Sequence, residues 1–263
     1  MIKSGLKKLR EKKWYEKQDY SARKTFGSVL QLPDEYFLPS KVLNQGSSQK
    51  CTAYASCAIQ EGQEKISFDP DDYYFQEGIT AGKQSDNGYD LRVCMKTCVR
   101  YGIKPLNSDN GKAEDFKEES YFRVDNPLTP MDLYDECKQA IYSAKEEKKT
   151  ICTGVDWRSE WNSPDGIIPN KYSSSGSGHC VKICGWKKIN GVEYLIVQNS
   201  YGTNFGDRGF NYFPREVINK EFTYGSFLWR EKGENIQTMS KLIALLIQLK
   251  SLYEALLKLC GIK

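Results

Sequence analysis

The sequence has a single histidine, His179, among its 263 residues, and this scarcity excludes a metal site built from several histidines. It also lacks an apolar run of about 20 residues, so no membrane-spanning helix is expected. The 21 glycines and nine prolines are too few for a collagen-like or low-complexity chain. The aromatic residues are plentiful, with 17 tyrosines, 11 phenylalanines and five tryptophans, which excludes a disordered chain. We therefore expect one sizeable folded core, which two lobes can share.

Cysteine is more common than histidine, but its number is odd. An odd count and the lack of an apolar stretch in the first ten residues argue against a secreted disulfide framework and a signal peptide. We therefore expect a cytoplasmic or otherwise reducing location. The pairs Cys94/Cys98 and Cys180/Cys184 each resemble half of a zinc site, but cysteine also packs as a small apolar residue. We favour packing and expect neither metal nor cofactor. The nine cysteines are Cys51, Cys57, Cys94, Cys98, Cys137, Cys152, Cys180, Cys184 and Cys260.

Positive charge is concentrated at the start of the chain. Residues 1–24 hold nine Lys or Arg and three Asp or Glu, a net charge of +6, so the rest of the chain carries −2. This nearly neutral body gives no reason to expect nucleic acid as a partner. The basic segment, which is weakly helical in its pattern, either contacts an acidic surface or is a solvated tail.

Hydrophobic spacing predicts helices in the first half of the chain and strands in the second, which is typical of an α+β protein with two lobes. The stretch between Pro33 and Pro39 is expected to be extended, residues 107–130 to be a loop, and Gly191 to lie in a hairpin turn. The predicted helices are Cys51 to about Lys65, a short helix near Asp69–Asp72, Leu91–Arg100 and Met131–Lys149. The predicted strands are Ile151–Val155, His179–Trp186, Tyr194–Gln198 and Gly209–Phe213.

The last segment, Ile236–Cys260, carries leucines at heptad spacing. This pattern predicts an amphipathic helix of about two and a half heptads. Three interpretations stay open, namely docking on its own lobe, self-association with a second copy, and contact with a membrane surface. The leucines on the heptad positions are Leu242, Leu245, Leu249, Leu252, Leu256 and Leu259.

Three separate segments supply the residues of a nucleophilic site. Cys51 lies at the start of a predicted helix, where the helix dipole favours its thiolate. His179 lies on a predicted strand and can accept the thiol proton, which would give an ion pair. Asn199 can orient the imidazole ring, and Gln45 with the backbone N–H of Cys51 can form an oxyanion hole.

The order Gln45, Cys51, His179 and Asn199 resembles that of the papain-like cysteine peptidases. His179 follows Cys51 by 128 residues and Asn199 follows 20 later, as in that family. The segments 199–202 (Asn-Ser-Tyr-Gly) and 205–209 (Phe-Gly-Asp-Arg-Gly) resemble the family motifs Asn-Ser-Trp-Gly and Trp-Gly-x-x-Gly.

The resemblance covers residues 30–232 and implies a two-lobe fold, with a helical N-terminal lobe, an antiparallel β-rich C-terminal lobe and the active-site cleft between them. It implies three parts of the chain, namely a basic extension at 1–28, a peptidase domain at 29–234 and the amphipathic helix at 235–263. The implied activity is hydrolysis of peptide bonds in a peptide or protein substrate. By the same resemblance, Asn87, Gly88, Gly178 and Tyr201 are expected to bind that substrate.

The segment around the nucleophile departs from the family pattern. Ser48 stands where the family has a cysteine, so that disulfide cannot form, in agreement with a reducing location. Gln49 replaces a glycine beside the cleft. Thr52 and Ala53 after the nucleophile look more like the prokaryotic members than the lysosomal ones.

Two alternatives to a peptidase remain. The first is a catalytically impaired binding protein that keeps the papain fold, which the altered residues Gln49, Lys50 and Thr52 favour. The second is a different Cys-His hydrolase, such as a cell-wall amidase or a transglutaminase-like enzyme. Those enzymes usually orient the histidine with an aspartate or a second histidine, and Asn199 in its motif argues against them.

Overall fold

The structure is a computed structural model, and the residues it describes are 20–21, 30–125 and 131–230. The predicted C-terminal helix at 235–263 lies outside these residues, as does the basic extension at 1–28 except for Tyr20 and Ser21. These two residues form a short strand, β1 (Tyr20–Ser21), within the segment whose pattern is weakly helical.

The helices begin and end where polar side chains and glycines favour it. Asp69 caps α2 by accepting hydrogen bonds from the backbone N–H groups of Asp71 and Asp72, and Pro70 occupies the first turn. Asp90 caps α3 in the same way, and Gly102 ends it. The five helices are α1 (Cys51–Glu64), α2 (Pro70–Ala81), α3 (Leu91–Tyr101), α4 (Leu133–Ser143) and α5 (Arg215–Glu221).

The strands form one sheet in the order β1-β3-β8-β4-β5-β6-β7, and β2 also pairs with β5. All pairs are antiparallel except that of β1 with β3. The turn between β5 and β6 has positive φ at Asn190 and Gly191, which confirms the predicted hairpin. The remaining strands are β2 (Tyr36–Phe37), β3 (Ser120–Arg123), β4 (Ile151–Trp157), β5 (Ser177–Ile189), β6 (Val192–Gln198), β7 (Phe210–Pro214) and β8 (Ser226–Arg230).

Two hydrophobic cores lie on the two sides of this sheet, because successive strand residues point to opposite faces. On β5, Val181 and Ile183 join one core and Cys180 joins the other. The core that contains Cys180 is built mainly by α1, α2 and α3, and the other includes α4 and α5. The α+β class and the papain-like division into a helical and a β-rich lobe are therefore confirmed.

Three sequence expectations need correction. Residues 107–130 are not only loop, since they contain β3 and two turns of 3₁₀ helix at 108–110 and 113–116. The predicted helix over 131–149 is shorter, since α4 covers only 133–143. The elements α5 and β8 were not predicted, and β8 fills the place between β3 and β4 in the sheet.

The packing of α1 against β5 sets the position of the candidate site. Cys51 is the first residue of α1, and His179 is the third residue of β5. The two elements therefore bring together residues that are 128 positions apart in the sequence. Among the helices of the described residues, none has the length and apolar character needed to cross a bilayer.

Candidate active site

The nucleophile candidate occupies a helix start that is not capped by a side chain. Lys50 holds the N-cap position of α1 and makes no side-chain capping bond there, and Cys51 follows it. The first backbone N–H groups of a helix have no partner inside the helix and carry its positive end. Cys51 is therefore placed where both its thiolate and its own N–H group can be used, and its side chain is fully buried.

His179 is held by an amide that directly follows the neighbouring strand β6. Its Nε2–H donates to Asn199 Oδ1 over 3.0 Å, so Nδ1 keeps the lone pair of the neutral ring. Nδ1 is buried and makes no hydrogen bond within the described part of the chain. Burial lowers the pKa of His179 to about 4, and the bond to Asn199 opposes this shift. The ring is therefore a neutral base with its accepting nitrogen turned away from Asn199.

Two aromatic rings fix the plane of the imidazole. Tyr201 stacks on His179 with centroids 4.6 Å apart and planes 8° apart. Trp157 meets the same ring edge-on at 5.6 Å and also packs against Tyr201 and Phe205. Burial raises the pKa of Tyr201, and the charge of Cys51 acts in the same direction. Tyr201 and Trp157 therefore hold the orientation of the His179 ring.

Gln45 is tied to the residue after Asn199 by two hydrogen bonds. Its backbone N–H donates to the carbonyl of Ser200 over 2.8 Å, and its side-chain Oε1 accepts from Ser200 Oγ over 2.6 Å. Its Nε2 donates to the carbonyl of Ser48 over 2.8 Å. Because an amide nitrogen carries two hydrogens, one remains for a developing oxyanion. Gln45 thus lies beside Ser200, and its role as an oxyanion donor stays a prediction.

Gly202 allows the segment that contains Gln45 to pack closely against the segment that contains Ser200. The N–H of Gly202 donates to the carbonyl of Leu43 over 3.0 Å, which brings residues 43–45 against 200–202. Gly202 has φ +80°, and a Cβ there would lie only 3.2 Å from the side chain of Asn44. Both the backbone conformation and the lack of space favour glycine at this position.

The full burial of Cys51 and His179 acts against the predicted ion pair. Burial penalises the charged form of each group, and it lowers the pKa of His179 as described above. The helix start and the attraction between opposite charges act in the other direction. The thiolate–imidazolium pair stays a prediction, and the geometry itself describes a neutral base held in place.

The predicted substrate residues have several different environments. Gly88 is buried with φ +74°, and its N–H already donates to the phenol oxygen of Tyr74 over 3.0 Å. Asn87 is exposed in the same turn. Gly178 lies on β5 opposite Asp156, and Tyr201 stacks on His179. The contact of all four with a substrate stays a prediction, and Tyr201 has an additional role in holding the catalytic ring.

The sequence analysis did not single out two residues of this site. Ser200 lies inside the Asn-Ser-Tyr-Gly motif, which is the signal that could have identified it as the partner of Gln45. Trp157 carried no local signal, because its contact with His179 arises from the pairing of β4 with β5. Among the described residues, no group of three or more histidine, cysteine, aspartate or glutamate side chains is arranged to hold a metal ion.

Cys51 at the start of a helix, His179 bonded to Asn199 and Gln45 bonded to Ser200 agree with the arrangement expected of a papain-like site. The sequence profile of the family described as "Papain family cysteine protease" matches residues 37–223. The chain therefore belongs to the papain family of cysteine proteases.

Among curated relatives, "Cathepsin B-like cysteine proteinase 3" of Caenorhabditis elegans is 26% identical over 139 residues, which is 50% of this chain and 37% of that protein. "Cathepsin S" of Mus musculus is 25% identical over 185 residues, 65% of this chain and 54% of that protein. The chain thus spans about half or less of the length of these relatives.

Solved structures show the same fold at low identity. Xylellain, a cysteine protease from Xylella fastidiosa, matches with a TM-score of 0.66 at 18% identity, over 88% of this chain and 97% of that chain. The bromelain protease from Ananas comosus, in complex with the E64 inhibitor, matches with a TM-score of 0.56 at 17% identity, over 76% of this chain and all of that one.

Proposed function

We propose that this chain is a cysteine peptidase whose nucleophile is Cys51. The observation that carries the proposal is the state of His179. Its Nε2–H is committed to Asn199 at 3.0 Å, Tyr201 covers its face, and its buried Nδ1 has a lone pair that no hydrogen bond within the described residues uses. A ring fixed in this tautomer serves as the base for a neighbouring thiol.

The proposed reaction follows from these positions. His179 Nδ1 takes the proton of Cys51, and the sulfur attacks the peptide carbonyl. The oxyanion accepts hydrogen bonds from the N–H of Cys51 and from Gln45 Nε2. The C–N bond then breaks as His179 returns the proton to the amine that leaves. Water, deprotonated by the same ring, hydrolyses the thioester and regenerates the thiol.

A second candidate is a papain-fold binding protein that does not turn over. Two observations favour it. Cys51 and His179 are both 0% exposed, so a peptide must displace covering atoms to reach them. The N–H of Gly88, expected to bind a substrate backbone, is already bonded to Tyr74.

A cleavage assay with matched variants separates the two candidates. A peptide library is incubated with the parent chain, Cys51→Ala and Cys57→Ala. Cys57 is the control because it is equally buried on the same helix. We expect cleavage by the parent and by Cys57→Ala, and none by Cys51→Ala. Peptide binding by a folded parent that leaves every peptide intact would support the binding protein, and cleavage by Cys51→Ala would contradict Cys51 as the nucleophile.

The proposed partner is a peptide or protein substrate. Self-association or surface contact through the segment 236–260 stays a prediction. Light scattering on the full chain and on a chain that ends at residue 235 tests it, because a self-associating tail predicts a smaller mass after truncation and unchanged cleavage. A tail that packs on its own lobe predicts instead a lower melting temperature.

A further inference from the structure

A buried carboxyl group is hydrogen-bonded to the residue that follows Cys51 in the sequence. Thr52, the residue after Cys51, donates its Oγ1 hydrogen to Oε2 of Glu77 on α2 over 2.8 Å. Both side chains are 0% exposed, and Glu77 Oε1 has no hydrogen-bond partner in the described part of the chain. The papain-like reaction proposed above uses neither side chain.

Contacts from α3 and from α1 itself complete this arrangement. Ser56 Oγ donates to the carbonyl of Thr52 over 2.8 Å, and the thiol of Cys94 lies 2.9 Å from Ser56 Oγ. Cys94 also lies beside the carboxyl of Glu77 and stabilises its charged form. The first turn of α1 is therefore held from α2 by Glu77, at the residue next to the nucleophile.

The groups around Glu77 leave its charge uncompensated. The charge that acts on Glu77 most directly comes from Asp90, and it is negative and raises the pKa of Glu77. An unpaired buried carboxylate is costly, and burial raises the pKa of Glu77 to about 8 against the hydrogen bonds of Thr52 and Cys94. The groups that face it are Thr52 and Cys57 from α1, Tyr73 and Tyr74 from α2, Tyr89, Asp90 and Cys94 at and before α3, Cys152 from β4 and Cys180 from β5.

We propose that Glu77 is a positioning residue for the nucleophile. In its protonated form Glu77 holds the first turn of α1 through Thr52, and in its deprotonated form it opposes thiolate formation at Cys51. The proposal rests on the function proposed above, since it concerns the same thiol. A neutral carboxyl keeps the hydrogen bond to Thr52 without adding charge. A carboxylate would add a second negative charge in the interior beside a developing thiolate.

The rate of Cys51 alkylation by iodoacetamide tests this without requiring peptide cleavage. Glu77→Gln stays neutral at every pH and keeps an oxygen that can accept from Thr52. We expect the ratio of its Cys51 alkylation rate to that of the parent to rise from about one at pH 6 to roughly 3–10 at pH 9. A like charge that raises a thiol pKa by half to one unit gives this range while the thiol is mostly protonated, which the full burial of Cys51 favours at pH 9.

Glu61→Gln is the matched control. Glu61 is buried on the same helix, ten residues and therefore roughly 15 Å beyond Cys51. Its ratio to the parent should stay near one from pH 6 to pH 9. The role of the Glu77 charge would be overturned if Glu77→Gln and the parent had the same dependence of Cys51 alkylation rate on pH. It would also be overturned if the rate ratio of Glu61→Gln to the parent rose as much as that of Glu77→Gln.

A second pair of variants tests the positional part and covers a failure of Glu77→Gln to fold. Thr52→Val removes the hydroxyl and Thr52→Ser keeps it. We expect kcat at pH 6 to fall at least tenfold in Thr52→Val with KM unchanged, and to recover in Thr52→Ser. Equal kcat values for the two would overturn the positioning role. A parent that alkylates at Cys51 with the expected pH profile but cleaves no peptide would refute the proposed function and leave the role of Glu77 intact.

Discussion

The contribution of Glu77 to the stability of this protein should fall as pH rises from about 5 to 8. In the folded state its carboxyl is fully buried with one hydrogen bond at Oε2, and the pKa is raised from 4.5 to about 8, first by burial. In the unfolded chain the same group titrates near 4.5. Between these two pH values the folded state holds a proton that the unfolded state has lost.

The direction and size of the effect follow from linkage. Glu77 supports the folded state fully below pH 4.5, and this support is lost as pH rises through the folded pKa. Each pH unit in the window removes about 1.4 kcal/mol from the free energy of unfolding. The whole window corresponds to roughly 5 kcal/mol, and the range from pH 5.5 to 7.5 corresponds to about 3 kcal/mol.

Urea denaturation of the parent and Glu77→Gln at pH 5.5, 6.5 and 7.5 measures the effect. The amide does not titrate, so the free energy of unfolding of the variant should gain about 2–3 kcal/mol relative to the parent between pH 5.5 and 7.5. His179 contributes with the opposite sign, because its lowered pKa makes stability rise with pH, but this contribution is common to both proteins and cancels in the difference.

Glu114→Gln, at an exposed glutamate, is the control and should follow the parent at all three pH values. A difference between Glu77→Gln and the parent that stays constant within about 0.5 kcal/mol across this range would refute the argument. The m-value, which is the slope of the free energy of unfolding against urea concentration, must be the same for the compared proteins. A changed m-value would indicate a changed unfolded or folded state.

Four further predictions follow from the contacts described. Lys149→Met should lower the free energy of unfolding in urea by about 3–5 kcal/mol, because it leaves the buried Glu118 carboxylate without its charge partner. The two carboxylate oxygens of Glu118 lie 2.7 and 2.8 Å from the Lys149 ammonium. Adding Glu118→Gln should recover most of the lost stability, and no recovery would contradict this assignment. Gln45→Ala should lower kcat by roughly 10²–10³ in steady-state kinetics with little change in KM, whereas a raised KM with unchanged kcat would indicate ground-state binding instead. His179→Ala should stay folded by circular dichroism and abolish peptide cleavage. Asn199→Ala should reduce cleavage less, because Asn199 only orients the ring. Near parental cleavage by a folded His179→Ala would rule out the mechanism. Dithiothreitol should leave the melting temperature unchanged because the eight cysteines of the described residues are thiols, and a large drop would show a disulfide.

Local sequence signals predicted the helix starts well because the caps are local. Asp69 with Pro70 and Asp90 act within their own turns, so the bounds of α2 and α3 agree with the predictions within about one turn at their start. The prediction for 131–149 extended too far, since the amphipathic pattern continues past Ser143 although the helix ends there. The strands β3 and β8 were missed because each is short and gains its hydrogen bonds only from the other and from β1 or β4.

The sequence by itself determined the identities and order of the candidate catalytic residues, because a thiol, an imidazole, an amide and an oxyanion donor can each be recognised by residue type and motif. It also determined the two-lobe α+β class through the change of hydrophobic period after Thr150. Only the tertiary structure decided how His179 is held, since Trp157 and Tyr201 reach it through strand pairing and packing. It alone also placed Glu77 against Thr52, the residue after Cys51. A buried carboxyl has no sequence signature, because its burial depends on helices α1, α2 and α3 packing around it.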